Sequence, residues 1–328
     1  MTIKLKVTSL IIILNLFICK IYAETPVIVI APSKKPQSIS TVGSSVTVYT
    51  EEDIENSSEI FLHNILNYGS PGLSAYQSGG PGTIAGVQLR GLPKRYTTIY
   101  IDGIKMSDPS TVSNDYYFDD LMKSSISRIE ILRGNQSTMY GSGAMGGTIN
   151  ITTKKGKKGL QKEMSVNTGS NDAINVSGSI SGADEKKDFW LGYETFHSKN
   201  ESAMTDNNEQ DSYHNDTIAG NFGYKLNEKL RFETGSRFIY SFLNYDSMDS
   251  RFSTNTDDNS QNWNKEWNGN LLLKHNPNSK FNQSLNYTKS INYRTYDSFS
   301  EWGSGKSQAE YRGYWDGIYY SGNYNFNL

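Results

Sequence analysis

The side chains that most often carry catalysis are few and far apart in this sequence. Its four histidines, His63, His197, His214 and His275, include no pair at the short spacing of a zinc site. They also fit no serine, histidine and acid order of a nucleophilic triad. Cys19 is the only cysteine, so the rest of the chain can form neither a disulfide nor a thiolate metal site. We therefore expect a protein that is not an enzyme and requires no cofactor.

Four aspartates offer one route to metal binding, because they lie in or beside long polar stretches in the second half of the chain. Carboxylates that cluster in a loop can bind calcium. The alternative is that these charges only keep the loops soluble. The candidate calcium ligands are Asp206, Asp211, Asp246 and Asp249.

The first residues have the order of a secretory signal. Lys4 and Lys6 precede an apolar run at residues 10–18, and a cleavage site ends at Ala23. We expect a signal peptide over residues 1–23; the alternative, an anchor helix, would need a longer apolar run. Loss of this segment with its three lysines takes the formal net charge from −2 to about −5, which argues against a nucleic-acid partner.

Residues 41–156 have the mixed pattern of a compact α+β domain. Alternation predicts a strand over Ser45–Tyr49, and Thr50 followed by Asp53 predicts a capped helix start. Asp102-Gly103 predicts a hairpin turn. A second helix is predicted over Glu59–Tyr68, and further strands over Val87–Leu89, Thr97–Ile101, Ile129–Leu132 and Thr148–Thr152.

After Lys154 the pattern changes to long alternating strands. Every second residue is aromatic or aliphatic and the residues between them are polar, which is typical of transmembrane β-strands. The alternative, a soluble β-sandwich, would have strands of about five or six residues. The clearest strands are Thr217–Leu226, Leu230–Phe242, Phe281–Tyr293 and Tyr314–Leu328.

The connectors between these strands alternate between short and long, as in membrane barrels with short periplasmic turns and long outer loops. Long polar connectors are predicted over 198–215, 246–262 and 297–308. About eight strands are visible, and the interior of an eight-stranded barrel is filled by its own side chains. We therefore expect this chain to be the N-terminal part, or a truncated form, of a larger barrel.

Four motifs, in order along the first region, carry a family resemblance. The most specific joins Ile126–Gly134 to Ser137–Ile151, and the others are Ser70–Leu73, Leu89–Gly91 and Tyr100–Gly103. Together they resemble the plug of TonB-dependent outer-membrane receptors, and among these the cobalamin receptors. The resemblance implies a mainly β fold, a transmembrane antiparallel β-barrel with an N-terminal α+β plug domain. The complete barrel would have about 22 strands.

The resemblance also divides the chain and implies its partners. It implies a TonB box and extended leader at 24–40, a plug at 41–155 and the first part of the barrel at 156–328. The implied partners are the TonB-ExbB-ExbD complex, a small-molecule nutrient and outer-membrane lipid. The implied setting is a monomer in the outer membrane of a Gram-negative bacterium.

The TonB box is an extended apolar segment that can add a strand to the energy-transducing partner. Pro26 departs from the family pattern and must face away from the pairing edge, because proline has no N–H. The alternative is that this segment is only a flexible leader. The expected box residues are Glu24, Thr25, Pro26, Val27, Ile28 and Val29.

Charged contacts between plug and barrel follow from the same resemblance. In the family, arginines that precede glycine in the plug contact glutamates of the barrel wall. Arg90 and Arg133 fit that description, and Glu194 and Glu233 are the candidate partners because both fall on the polar parity of their strands. The alternative is that these charges are solvated in a watery lumen.

Gly141–Gly146 fits G-x-G-x-x-G formally. A dinucleotide site needs a helix after the glycines, whereas the β-branched run Thr148–Ile151 predicts a strand. We interpret the glycines as positions of tight turns and close packing at the plug–barrel junction.

Ligand is expected at two loops of the plug, 76–82 and 107–117. Gly-rich and hydroxyl-rich tips suit hydrogen bonding to a large polar ligand, and the alternative is that each is a surface turn without a ligand. The candidate residues are Tyr76, Gln77, Ser78, Ser107, Asp108, Asn114 and Tyr116.

These features predict energy-coupled import of a scarce nutrient. Cobalamin is the preferred ligand because of the N-terminal box, the compact plug and the loop aspartates, and a ferric siderophore is the alternative. An alternative from another class is a surface binding protein or adhesin on a plugged barrel, for which a degenerate TonB box would be expected.

Overall fold

The computed structural model describes residues 27–31, 36–111, 113–201, 210–249, 254–299 and 306–326. The chain separates into two units, residues 1–43 and 44–328. In the first unit β1 (Ile28–Val29) pairs antiparallel with β2 (Gln37–Ser38), followed by a 3-10 turn over Ile39–Thr41. The expected signal peptide and the box residues Glu24, Thr25 and Pro26 lie outside the described residues.

The second unit begins with a mixed domain, which we call the plug, residues 44–153. Its five-stranded sheet has the order β3-β8-β9-β6-β7, and β4 and β5 form a separate hairpin. Within the five-stranded sheet β6 and β9 are parallel and the other pairs are antiparallel. The elements are β3 (Ser45–Tyr49), α1 (Glu51–Asn56), α2 (Leu62–Asn67), β4 (Leu73–Gln77), β5 (Ala85–Leu89), β6 (Thr97–Ile101), β7 (Ile104–Met106), β8 (Ile126–Arg133), α3 (Ser137–Tyr140) and β9 (Gly147–Thr153).

Local sequence signals explain the ends of several of these elements. At the start of α1 the Asp53 amide donates to Thr50 Oγ1 at 3.2 Å, and the Thr50 amide donates to Asp53 Oδ2 at 2.8 Å, which completes the predicted capping box. Asp102 and Gly103 have φ of 49° and 79°, the left-handed pair of a type I′ hairpin turn between β6 and β7. Both predictions are confirmed.

The second helix begins later than predicted, at Leu62 instead of Glu59. Phe61 forms an isolated antiparallel bridge with Met122, and the Leu62 amide donates to the Leu121 carbonyl at 2.9 Å. These pairings hold residues 59–61 extended, so tertiary contacts override the apolar helical spacing there.

The plug has an apolar core between its sheet and its helices. Ile129, Ile131 and Ile149 are fully buried on β8 and β9, and Ile54 of α1 and Leu66 of α2 belong to the same cluster. Burial of each such side chain contributes about 1.5–3 kcal/mol relative to exposure. This cluster gives the plug a core of its own.

Eight long antiparallel strands follow, and we call this sheet the wall. They pair in sequence order, and β10 pairs only with β11 and β17 only with β16 within the described part of the chain. The strands are β10 (Gly159–Thr168), β11 (Ile174–Ala183), β12 (Lys187–Glu201), β13 (Gln210–Lys225), β14 (Leu230–Asp249), β15 (Thr254–His275), β16 (Phe281–Phe299) and β17 (Lys306–Tyr324).

The two faces of the wall differ sharply in polarity. Asn215, Thr288 and Ser290 point toward the plug and are at most 1% exposed, whereas Met164 and Ile318 on the other face are 79% and 75% exposed. Period-two alternation thus places polar residues inside and apolar residues outside, as predicted. The mainly β class, with a plug and part of a barrel sheet, is confirmed.

The wall strands extend further than their apolar alternation indicates. β12 ends at Glu201 and β13 begins at Gln210, which leaves 202–209 as the connector where 198–215 is predicted. Likewise β14 and β15 are separated by 250–253, and β16 and β17 by 300–305. The added ends of β12 and β13 pair polar residues, Lys199 with Ser212 and Asn200 with Asp211, so the apolar alternation stops while backbone pairing continues. No described helix is long and apolar enough to span a membrane.

Candidate ligand site and plug–wall contacts

The plug segment 107–117 lies against β16 at the end of the wall that carries the long connectors. Asp108 forms an ion pair with Arg294, and its Oδ1 accepts from the Ser110 amide at 2.8 Å. Asn292 Nδ2 donates to the Ser107 carbonyl at 3.4 Å. Gly313 of β17 also meets this segment, because a Cβ there would lie 2.9 Å from Pro109 Cγ. The segment is therefore anchored to the wall.

Two cations lie close to the Tyr117 ring in this anchored segment. Lys94 Nζ lies 3.6 Å from the centroid of the Tyr117 ring, and Arg294 Cζ lies 4.8 Å from it. Lys94 Nζ also lies 3.5 Å from Asp115 Oδ2. Burial, with the nearby Asp115 and Asp119 carboxylates, raises the pKa of Tyr117. An aromatic hydroxyl with two cations nearby can bind an anionic or oxygen-rich ligand.

The glycine-rich loop 78–84 contacts the wall at β12 and β13. Asn200 Nδ2 donates to the Pro81 carbonyl at 3.0 Å, and a Cβ on Gly82 would lie 2.1 Å from the Tyr213 ring. At the base of the loop Gln77 Oε1 lies 3.1 Å from His63 Nε2. Burial lowers the pKa of His63. The glycine at position 82 thus permits a close approach to an aromatic wall residue.

The seven predicted ligand residues fall into two groups. Tyr76 is 37% exposed, and Asn114 is exposed in a left-handed turn with φ of 52°. Gln77 and Ser78 hold the 78–84 loop, since Gln77 Nε2 donates to the Gly80 carbonyl at 2.8 Å and the Ser78 amide donates to the Ile84 carbonyl at 3.0 Å.

The second group corrects the prediction of surface ligand contacts. Ser107, Asp108 and Tyr116 are 5%, 4% and 8% exposed. The Tyr116 ring packs edge-on against Phe118 at 5.6 Å in the plug core. In this conformation these three side chains support the loop and the interior instead of a surface site.

A polar cluster that sequence reasoning missed centres on Asp120 of the plug. Tyr213 Oη donates to Asp120 Oδ1 at 2.6 Å, and Asn264 Nδ2 donates to Asp120 Oδ2 at 2.6 Å. Asn215 Nδ2 donates to the Asp120 carbonyl at 3.1 Å. The only sequence signal for it is the run of asparagines on the inward parity of the wall. This cluster binds the plug to two wall strands, β13 and β15.

One apolar patch also joins the two parts. Phe61 and Met122 of the plug pack with Phe196, Tyr213 and Leu243 of the wall. The Phe61 and Phe196 rings meet edge to face with centroids 5.0 Å apart. This aromatic patch lies beside the Asp120 cluster, because Tyr213 belongs to both.

The predicted arginine–glutamate pairs are wrong as pairs. Arg133 donates to Ser45 Oγ at 3.2 Å, Thr47 Oγ1 at 2.6 Å and Ser70 Oγ at 2.5 Å, all within the plug. The Arg90 amide donates to the Gly72 carbonyl at 2.7 Å, and its side chain lies beside Gly134. Arg133 ends β8 and Arg90 follows β5. Both side chains therefore contact other residues of the plug and not the wall glutamates.

The two glutamates nevertheless contact the plug side of the molecule through other partners. Glu194 Oε2 accepts from the Ser124 amide at 3.1 Å. Glu233 lies 2.9 Å from Lys155 Nζ and 2.7 Å from Lys274 Nζ. The alternation of the strands therefore predicted that both glutamates face inward, but it did not predict their partners.

Lys154 is the centre of a charged junction where the chain leaves the plug. Its Nζ lies 2.7 Å from Glu55 Oε1 and 3.5 Å from Glu163 Oε2. Burial opposes its charge, but the contacts with Glu55, Glu163 and Glu51 outweigh burial and raise the pKa of Lys154. Close by, a Cβ on Gly156 would lie 2.1 Å from the Gly182 carbonyl oxygen.

The candidate calcium ligands do not form a described site. Asp211 lies in β13 and Asp246 in β14, while Asp206 and the side chain of Asp249 lie outside the described residues. Among the described residues no three His, Cys, Asp or Glu side chains are grouped to hold a metal ion. Calcium binding stays a prediction.

The G-x-G-x-x-G run precedes strand β9, as its β-branched residues predict. A Cβ on Gly147 would lie 2.1 Å from the Leu132 carbonyl oxygen, and one on Gly146 would lie 3.2 Å from the Tyr96 carbonyl oxygen. The close packing is therefore within the plug sheet and not at the plug–barrel junction, which corrects that interpretation.

Comparison with known proteins agrees with this architecture. Residues 38–148 match the TonB-dependent Receptor Plug Domain family. The structure is similar to the ferric enterobactin receptor of Pseudomonas aeruginosa, with 18% identity and a TM-score of 0.61 over 81% of this chain and 45% of that one. It is also similar to the ferripyoverdine receptor of P. aeruginosa, with 16% identity and a TM-score of 0.67 over 88% and 40% of the two chains.

A third similar structure is the siderophore receptor PiuA of Acinetobacter baumannii, with 17% identity and a TM-score of 0.66 over 88% of this chain and 44% of that one. The chain thus spans less than half the length of these receptors. At such identities the similarity establishes the fold. The matched residues 38–148 and the strands after them therefore have the fold of the corresponding part of those receptors, a plug followed by part of a barrel sheet.

Proposed function

We propose that this chain is part of a TonB-dependent outer-membrane receptor that imports a ferric siderophore. The observation that carries the proposal is the plug domain seated against a wall that is polar toward the plug and apolar on its other face. Such a wall suits a bilayer on one side and a wet lumen on the other. The membrane would be the outer membrane of a Gram-negative bacterium.

The ligand class follows from two further observations. The three similar structures are siderophore receptors, which favours the ferric siderophore over the cobalamin preferred from sequence. Lys94 and Arg294 close to the Tyr117 ring suit the oxygen-rich, often anionic surface of an iron chelate. We place ligand contact at Tyr117, Lys94 and the exposed Tyr76 and Asn114.

Transport would couple this ligand site to the N-terminal segment. Ligand contact at Tyr117 competes with the ion pair of Arg294 and Asp108, which anchors segment 107–117. The TonB box at Glu24–Val29 would then add a strand to TonB, and force from that partner would move the plug. No covalent step is required.

Uptake by the native host tests the ligand class. We expect deletion of the gene to abolish uptake of labelled iron from one of a panel of ferric siderophores and to leave uptake of labelled cobalamin unchanged. Loss of cobalamin uptake with all iron uptake retained would overturn the siderophore assignment.

Two variants of the native receptor divide binding from transport. Deletion of residues 24–30 should abolish uptake and leave surface binding intact, because only transport needs the TonB box. Lys94→Gln should weaken binding about tenfold, since a charged contact contributes roughly 1.5–3 kcal/mol. Lys229→Gln, in a short connector at the other end of the wall, is the matched control and should bind normally. Loss of binding on the deletion would contradict this division.

A further inference from the structure

Strand register arranges the apolar face of the wall into rows that cross several strands. One row carries two cations, and each residue in it pairs directly with the next. We call it the cation row, and its members are Tyr240, Lys265, Tyr293 and Arg312. The neighbouring row toward the short connectors is entirely apolar or aromatic and consists of Phe238, Trp267, Ile291 and Tyr314.

The rows on the other side of the cation row show where the apolar face ends. The next row toward the long connectors mixes aromatic and polar residues, namely Phe242, Trp263, Thr295 and Glu310. The row after it is wholly polar, namely Asn244, Gln261, Asp297 and Gln308. The cation row therefore lies at the boundary between the apolar band and the polar rim, among the aromatic residues that mark the level of lipid headgroups.

A cavity of 480 Å³ opens along this row. Its lining includes Tyr240, Trp263, Lys265, Tyr293, Glu310 and Arg312. Lys265 Nζ lies 5.8 Å from the centroid of the Tyr240 ring, and Arg312 Cζ lies 5.5 Å from that of Tyr293. The cavity thus combines aromatic surfaces with three cationic residues, of which Arg294 already forms an ion pair with Asp108 of the plug.

The charges of the cavity are not balanced. Glu310 Oε2 lies 2.9 Å from Arg312 Nη2, whereas no carboxylate described by the structure forms an ion pair with Lys265. Closer to the short connectors, Lys289 has Asp316 Oδ1 at 3.3 Å, so that pair is neutral. An unbalanced cation at headgroup level attracts an anion from the lipid itself.

We propose that the cation row binds the phosphate of a phosphorylated glycolipid of the outer leaflet. Arg312 and Lys265 lie two strands apart, about 10 Å, and can hold phosphate oxygens by a guanidinium fork and an ammonium. Tyr240 and Tyr293 offer flat apolar surfaces to the sugar, and the apolar rows beside them accommodate acyl chains. This proposal rests on the outer-membrane placement under the proposed function.

Native mass spectrometry of the receptor extracted from its own outer membrane tests the site. Bis-phosphorylated lipid A, dephosphorylated lipid A and inorganic phosphate are titrated separately. We expect lipid A adducts on the native protein, and at least tenfold weaker ones after Lys265→Gln with Arg312→Gln. Lys229→Gln with Lys280→Gln removes the same charge at the short connectors and should bind like the native protein.

A charge-conserving exchange, Lys265→Arg with Arg312→Lys, should retain the adducts, and heat-modifiable gel migration checks that each variant is folded. Equal adducts on the native protein and the glutamine variant, or equal adducts of the dephosphorylated lipid, would overturn the proposal. Displacement of lipid A by inorganic phosphate would indicate a free-anion site and would also overturn it. Absence of the protein from the outer membrane would refute the proposed function, whereas an outer-membrane protein with unchanged adducts would refute only this site.

Discussion

The plug and the wall are both built on alternating strands, yet they bury opposite kinds of side chain. In the plug the fully buried residues include Ile129, Ile131 and Ile149, whereas in the wall they include Asn215 and Thr288. The plug is therefore stabilised by its own apolar core. The wall instead relies on backbone pairing, and apart from residues such as Phe196, Tyr213 and Leu243 its large apolar side chains face away from the plug.

This difference decides how the two parts are held together. Their contacts are largely polar, at Asp120, Glu194 and Lys154, with one apolar patch around Phe61 among the described residues. Separation of plug and wall would replace most of these contacts with water, and each hydrogen bond to a charged group contributes a net of about 1.5–3 kcal/mol. An interface of this kind can be opened while the plug core stays intact.

The largest effect is expected inside the plug sheet. Gly147→Ala should destabilise the plug by about 4 kcal/mol, because overpacking and a strained backbone conformation add. Its Cβ would lie 2.1 Å from the Leu132 carbonyl oxygen at a φ of 146°. Protease digestion of the native receptor under increasing urea measures the loss. Gly169→Ala, in the turn after β10 with only a 3.5 Å contact to Ala173 Cβ, is the matched control and should be neutral.

A pair of nearly isosteric substitutions tests the comparison directly. Ile131→Thr should cost about 3 kcal/mol, since it removes a methyl group and buries a hydroxyl in an apolar core. Thr288→Val should be close to neutral, because the Thr288 hydroxyl is buried without a hydrogen-bond partner in the described part of the chain. Thermal unfolding of each variant measures both. Equal losses at the two sites would remove the distinction between the two interiors.

The attachment of the plug should be weaker than its core. Asp120→Ala leaves Tyr213 and Asn264 without their shared acceptor and should lower the free energy of plug release by about 2 kcal/mol. Labelling of a cysteine introduced at Ser124 reports release under urea. Asp172→Ala changes an exposed turn and is the control. Simultaneous loss of the plug fold, read from protease digestion, would contradict a separable interface.

The smallest expected effect is a pH dependence at His63. Burial lowers its folded-state pKa below the unfolded value of about 6.5, so the unfolded chain binds a proton first as pH falls. The contribution of His63 is therefore present above about pH 6.5 and is lost as pH falls through the folded pKa. His63→Gln should flatten the stability profile below that pH, while His197→Gln, at an exposed wall position, should leave the slope unchanged.

Local patterns predicted a large part of this fold. Thr50 with Asp53, Asp102 with Gly103, and the strict alternation of residues 230–242 specify their structures within a few residues of sequence. Strand β15 was not among the strands with clear alternation, because its outward positions include Gly269 and Lys265 and therefore lack a continuous apolar face. Backbone pairing with β14 and β16 holds these residues in a strand that their own sequence pattern does not predict.

The candidate site was predicted less well, for a different reason. Contacts such as Asp108 with Arg294 or Asp120 with Asn264 join residues far apart in sequence, and they depend on how the plug is rotated inside the wall. The family resemblance supplied inward glutamates but assigned them to Arg90 and Arg133. The position of the plug sheet relative to the wall is not encoded in the alternation of residues in either sheet, so the sequence pattern does not predict which residues meet.

The edge position of β3 has a mechanical consequence. β3 is the first strand of the plug and pairs only with β8 in the described sheet, so a pulling force applied from the N-terminal side reaches it before any other strand of the plug. The Arg133 guanidinium donates hydrogen bonds to Ser45 and Thr47 of β3 and also to Ser70. Burial lowers the pKa of Arg133 below its usual range, but a guanidinium still carries its charge at neutral pH. A force that pulls β3 away from the sheet must therefore break these side-chain hydrogen bonds as well as the backbone pairing with β8, while the isoleucine core of the plug can stay intact.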